Sequence, residues 1–98
     1  MERIRLKNKG IIARRTSVIN ELGMHARPAS KIAQIAELAQ SDVWLCANSI
    51  KVDATSIIDI LTLGAVKGTK ILIKIENQED RVVLDQIIDF FEAGFGEI

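Results

Sequence analysis

Lys70-Ile-Leu-Ile-Lys-Ile-Glu76 is the stretch that decides the fold. Ile71, Ile73 and Ile75 recur every second residue between Lys70, Leu72, Lys74 and Glu76, which is the period of a strand with one buried face. Working outward, Glu79 to Ala93 places Leu84, Ile87, Ile88 and Phe91 at helical spacing, with Asp85 and Asp89 outward and Gly94 beyond the end. On the other side, Ser56 precedes an apolar run and Asp59 follows three residues later, a capping-box pattern that predicts a short helix over Ser56–Leu63, stopped by Gly64. Val43 and Leu45 alternate with Asp42, Trp44 and Cys46. Asn48-Ser49 then supplies turn residues and Ile50-Lys51-Val52 a returning strand, a β-hairpin. Ala29, Ile32, Ala33, Ala36 and Ala39 form the stripe of an amphipathic helix over Ala26–Gln40, and Ile12–Ile19 is rich in β-formers, with Thr16 and Val18 on one face. The order is βαββαβα. Such elements bury themselves as an antiparallel or mixed sheet carrying its helices on one face, an α+β domain.

Composition sets the class of protein. Ninety-eight residues, 48% apolar and 27% charged, suit one domain. Thirteen basic and thirteen acidic residues cancel, which removes the broad positive field that unspecific nucleic-acid or anionic-membrane binding requires. No apolar run approaches the roughly 18 residues needed to span a bilayer, and the amino end makes a poor export signal, so no membrane insertion is expected and the expected compartment is the cytoplasm. Cys46 is the single cysteine and His25 the single histidine, so neither an intrachain disulfide nor a Cys/His metal cluster is expected. Arg3, Arg5, Lys7, Lys9, Arg14 and Arg15 crowd the start while acids dominate from Glu76 onward. A solvated tail is the plainer reading of that start, a docking arm the other.

The chemistry points to His25. It stands at the junction of the first strand-loop and the first helix, in Gly23-Met-His-Ala-Arg-Pro-Ala-Ser30. A helix start presents unpaired N–H groups and a positive dipole end, which attract a phosphoryl group and disfavour a protonated imidazole, leaving a neutral and nucleophilic ring. Pro28 falls in the first turn, where its missing N–H removes no helical bond and its fixed φ preorganises the chain. The amides of Ala26 and Arg27 remain available, and the Arg27 guanidinium can make charge-assisted contacts with phosphoryl oxygens. Phosphoryl transfer through phosphohistidine is the implied reaction, with no metal or other cofactor expected. Taken without context, a histidine at a helix start is more often a cap or a surface residue.

Gly23-Met-His-Ala-Arg-Pro-Ala29 closely resembles the active-site signature of HPr, the histidine-containing phosphocarrier of the bacterial phosphoenolpyruvate-dependent phosphotransferase system. Ala54-Thr-Ser-Ile-Ile-Asp-Ile-Leu-Thr-Leu-Gly64 is similar to that family's second motif. The resemblance implies an open-faced β-sandwich, a four-stranded antiparallel sheet with three helices on one face, over residues 11–98, behind an N-terminal extension of residues 1–10. It implies that His25 accepts the phosphoryl group on Nδ1 from phosphorylated enzyme I, that Arg27 steadies it, and that IIA-type domains receive it. The protein would then be a stoichiometric relay and not a turnover enzyme.

The same resemblance matches Ser56 to the serine that HPr kinase/phosphorylase modifies in some members, and a plain helix cap explains Ser56 equally well. Met24, Ile57 and Ile58 would form an apolar docking patch beside His25, with core packing as the competing account; neighbours on a helix point about 100° apart, so one of the two isoleucines should stay wet. Departures from the sugar-transport pattern are Gln34, Glu37, Thr55 and Asp59, where basic residues often form the docking rim. The runs Asn20–His25 and Phe91–Glu97 are similar to the nitrogen-branch carrier, NPr, so a regulatory protein acting by state-dependent binding is the alternative. A βα-sandwich binding module without phosphoryl chemistry is a third. Gly64-Ala-Val-Lys-Gly-Thr69 has phosphate-loop ingredients in the wrong order and precedes a strand, so it reads as a turn.

Overall fold

The computed structural model describes residues 12–98; the expected extension over residues 1–10 lies outside them. Strands β1 (Ile12–Ser17), β2 (Val43–Ala47), β3 (Ile50–Asp53) and β4 (Lys70–Ile75) alternate with helices α1 (Ala26–Ala36), α2 (Ile57–Leu61) and α3 (Arg81–Glu92), giving βαββαβα. The sheet is antiparallel throughout, in the order β1-β4-β2-β3.

β4 is central because its alternation is cleanest. Ile71, Ile73 and Ile75 are at most 1% exposed, and each stabilises the fold by about 1.5–3 kcal/mol through removal of its side chain from water. Register carries that face across the sheet, with Ile75 opposite Ile12 and Val43, and Ile73 opposite Leu45. The buried stripes of α1 (Ala29, Ile32, Ala33, Ala36) and α3 (Leu84, Ile87, Ile88, Phe91) cover it. Trp44 and Cys46 point to the uncovered face with Leu72 and Lys74, where the Lys51 ammonium lies 4.6 Å from the Trp44 ring centroid. Arg14 pairs with Ile73 and so points toward the helices from an edge strand, and its guanidinium reaches Asp85 of α3 at 2.9 Å. An inward-pointing charge on an edge strand discourages pairing with another chain.

The hairpin turn at Asn48-Ser49 has positive φ at both residues, 52° and 67°, the backbone whose twist suits a two-residue connection. Ser56 caps α2 by accepting from the Asp59 amide at 3.2 Å.

Several elements are shorter than their periodicity predicts. β1 ends at Ser17, and Val18 instead exchanges backbone bonds with Gly68 and Thr69. α1 stops at Ala36 and not at Gln40. The amides of Gln40 and Ser41 donate to the buried Asp80 carboxylate at 2.8 and 3.0 Å, which turns the chain toward β2. α2 occupies only Ile57–Leu61 of the predicted Ser56–Leu63. The last helix begins with a separate 3₁₀ turn, Gln78–Asp80, before α3. A second 3₁₀ turn, Gly94–Gly96, follows α3 and packs back against it. Phe95 there has φ 58°, a left-handed conformation that costs a non-glycine residue about 1–2 kcal/mol. Its ring packs at 5.0 Å from Phe91 and 5.1 Å from Phe90, and aromatic contacts of this kind offset the strain.

Candidate functional site

The loop before α1 is held from several sides. Gly23 donates its amide to Asn20 O at 3.2 Å and accepts the Asn20 side-chain amide at 3.0 Å. Met24 N–H donates to Ala65 O at 2.9 Å, tying this loop to the turn before β4, and a Lys67–Glu21 ion pair joins the same two segments. That contact requires glycine at 23. Its φ is +71°, and a Cβ there would sit 2.8 Å from Ala65 O.

His25 is the N-cap of α1, with extended backbone (φ −100°, ψ −171°) and no bond from its side chain to the helix amides. Its carbonyl accepts the Ala29 amide at 3.1 Å. Among the described residues the amides of Ala26 and Arg27 meet no protein acceptor, as the first turn of a helix leaves them. Pro28 is buried within that first turn, while Ala26 and Arg27 are exposed. The structure thus brings His25, Ala26, Arg27 and Pro28 together as one helix start. The imidazole is 32% exposed, accessible from one side.

Sequence reasoning missed Glu97. Its Oε2 lies 2.6 Å from His25 Nε2, and its Oε1 accepts the Asn20 side-chain amide at 2.7 Å. Burial pushes the Glu97 carboxyl up, but hydrogen bonds from His25 and Asn20, with the charges of His25 and Arg27, outweigh it and hold the group below its ordinary value. Asn20 is 1% exposed and leaves its Oδ1 without a partner among the described residues. The one signal in the sequence was the likeness of the runs Asn20–His25 and Phe91–Glu97 to the same nitrogen-branch carrier, which gives no contact between them; Glu97 is 72 positions from His25. Among the described residues no three His, Cys, Asp or Glu side chains converge as metal ligands.

Other expected site residues divide. Ile57 and Ile58 are both exposed, at 40% and 75%, because α2 is anchored by Ile60; one wet residue was expected. Met24 corrects the docking expectation: it is 7% exposed and belongs to the core, since its amide is pinned to Ala65 and its side chain turns inward. Ser56 is half-buried and serves as the cap. No helix among the described residues is long and apolar enough to cross a membrane.

Comparison with known proteins agrees with this architecture. Residues 12–93 match the family model described as the PTS HPr component phosphorylation site. The chain is 34% identical over 80 residues to a phosphocarrier protein HPr of Neisseria meningitidis, covering 82% of this chain and 90% of that protein. It is 38% identical over 85 residues to a phosphocarrier protein NPr of Proteus mirabilis, covering 86% and 94%. The crystal structure of HPr-C-His from Thermoanaerobacter tengcongensis superposes with a TM-score of 0.82 at 30% identity, covering 89% of this chain and 98% of that one. A sheet of this topology, a histidine at the start of its first helix and a match over most of the chain lead to one conclusion: the protein belongs to the HPr family of phosphocarriers of the phosphotransferase system.

Proposed function

We propose that residues 11–98 form a phosphocarrier domain that accepts a phosphoryl group on His25 and passes it on, with residues 1–10 as an extension. The observation that carries this reading is the accessible imidazole standing as N-cap over two helix amides without acceptors. A ring nitrogen attacks phosphorus, a new N–P bond forms, and the bond to the donor breaks with its electron pair leaving on the donor. Passing the group on reverses this, the pair of the N–P bond returning to the ring. The Ala26 and Arg27 amides and the helix dipole favour the negative charge held between these steps, and the exposed Arg27 guanidinium is free to swing onto phosphoryl oxygens. Among the described residues it makes no ion pair that would compete.

Phosphorylated enzyme I is the donor in this reading and IIA-type domains the acceptors, with Ile57 and Ile58 as the exposed apolar contact. The chain is a stoichiometric carrier and not a turnover enzyme, and it works in the cytoplasm. Ser56 is the residue that HPr kinase/phosphorylase would modify. A phosphate there would meet the helix amides favourably and Asp59, in the same first turn, unfavourably. A regulatory protein of the NPr kind, whose phosphorylation state controls its binding to target proteins, is the second reading, favoured by the likeness to the Proteus mirabilis protein and by Glu37 and Asp59 near the docking rim.

Incubation with phosphoenolpyruvate and enzyme I, followed by intact mass, tests the proposal. One phosphoryl mass on the parent and none on His25→Ala is expected. No gain on the parent, or an equal gain on the variant, refutes it. Transfer onward to an isolated IIA-type domain separates the two readings, since the regulatory one requires binding that depends on the state of His25 and no such transfer.

A further inference from the structure

The Nε2 edge of His25 is engaged and its other nitrogen is not. Glu97 Oε2 lies 2.6 Å from Nε2, while Nδ1 makes no hydrogen bond among the described residues. We infer that Glu97, held in place by Asn20, is a positioning residue that keeps the neutral His25 ring protonated on Nε2 and so presents the lone pair of Nδ1 to the incoming phosphoryl group. This rests on His25 being the acceptor. An ionised carboxylate only accepts hydrogen bonds, so the ring nitrogen facing it must carry the proton. Glu97 is kept in that ionised form, because the bonds from His25 and Asn20 hold its carboxyl below the ordinary range. The second oxygen is committed as well. Asn20 faces two acceptors, Gly23 O and Glu97 Oε1, so its amide must point its nitrogen at both, and the orientation of that group is unambiguous.

The carboxylate also serves the transfer itself. As the Nδ1–P bond forms and the donor leaves with its electron pair, the ring acquires positive charge shared with Nε2–H. Glu97 lies against that proton and stabilises the charge without taking it. When the N–P bond breaks toward an acceptor, its pair returns to Nδ1 and the ring is neutral again with the proton still on Nε2. The arm that brings Glu97 to this place is the 3₁₀ turn Gly94–Gly96, anchored by the buried ring of Phe95.

Glu97→Gln is the informative variant because an amide has one acceptor oxygen for two donors. If that oxygen stays on Asn20, the NH₂ group faces Nε2 and favours the proton on Nδ1, the wrong nitrogen for attack. The experiment is a ¹⁵N multiple-bond NMR spectrum of the neutral ring in the full chain, with the rate of phosphorylation by phosphorylated enzyme I. The wild type should show Nε2–H with an unprotonated Nδ1. Glu97→Gln should shift toward Nδ1–H and be phosphorylated about tenfold more slowly, a usual loss for removal of an orienting partner. A wild-type ring protonated mainly on Nδ1 overturns the inference, and this spectrum needs no variant to fold. An unchanged tautomer and rate in a folded Glu97→Gln protein overturns it too. Absence of phosphorylation of the wild type would refute the carrier reading, while the tautomer spectrum, which uses no donor, judges Glu97 separately.

Discussion

Gly23 and Gly64 share a left-handed backbone, at φ +71° and +57°, yet differ in what surrounds them. A Cβ at Gly23 would lie 2.8 Å from Ala65 O and 3.1 Å from Val66 Cα, whereas one at Gly64 meets nothing within 4 Å among the described residues. Alanine at either position incurs about 1–2 kcal/mol for the left-handed conformation, offset by about 0.4–1 kcal/mol from the lower entropy of the unfolded chain. Gly64→Ala should therefore be destabilised by about 0–1.6 kcal/mol. Gly23→Ala adds an overlap that cannot relax through a rotamer, since the opposing atoms are backbone and Ala65 O is held by the Met24 amide at 2.9 Å. Forcing such an overlap costs about 1–3 kcal/mol more. Urea unfolding of the two variants measures that increment directly. With a slope of about 1–3 kcal/mol per molar for a small domain, the midpoints should differ by about 1 M, Gly23→Ala being the lower. Because Gly23 lies two residues before His25, the same variant should accept phosphate more slowly, while Gly64→Ala should not. Equal midpoints for the two variants would refute the claim that close approach of the two loops, and not backbone conformation alone, demands glycine before the histidine.

Asp80 is 2% exposed and takes two backbone amides, those of Gln40 and Ser41. Asp80→Ala removes the acceptor shared by two part-buried amides and should cost about 3 kcal/mol, the lower end of about 1.5–3 kcal/mol for each of two bonds to a charged acceptor, because Gln40 and Ser41 are exposed and water partly replaces the carboxylate. Thermal unfolding checks this, and a loss under 1 kcal/mol would show that the α1–β2 turn does not depend on the carboxylate. The Glu97–His25 hydrogen bond at the site has its own signature in pH. Because the Glu97 carboxyl lies below its ordinary value of 4.5 in the folded protein, the stability it contributes is whole above that pH and is lost as pH falls below it through the depressed folded value. Wild type and Glu97→Gln compared by denaturant midpoint from pH 6 to pH 3 should therefore converge toward acid. Parallel curves would count against an ionised, paired Glu97.

Much of this molecule was legible in local pattern. The alternation of Ile71, Ile73 and Ile75, the stripe of α3, the Asn48-Ser49 turn and the Ser56 cap each follow from contacts within a few residues, and all appear where their spacing puts them. The motif around His25 was likewise readable, because a helix start is a local object. Boundaries were less so. α1 loses its last turn to a carboxylate from the other end of the chain, Asp80, about 40 positions from the amides it binds. Met24 could not be assigned to surface or core from its neighbours, since the decision lies with Ala65, which pins its backbone.

By itself, then, the order of residues determined the elements, the buried face of each and the histidine at a helix start, since periodicity, capping and turn chemistry act over one or two turns of chain. Only the tertiary structure decided which nitrogen of that histidine is occupied. Glu97 reaches His25 across 72 positions because α3 packs beside α1 and Phe95 holds the end of the chain against α3. A contact of that kind depends on how whole elements stack, and no local pattern encodes the stacking.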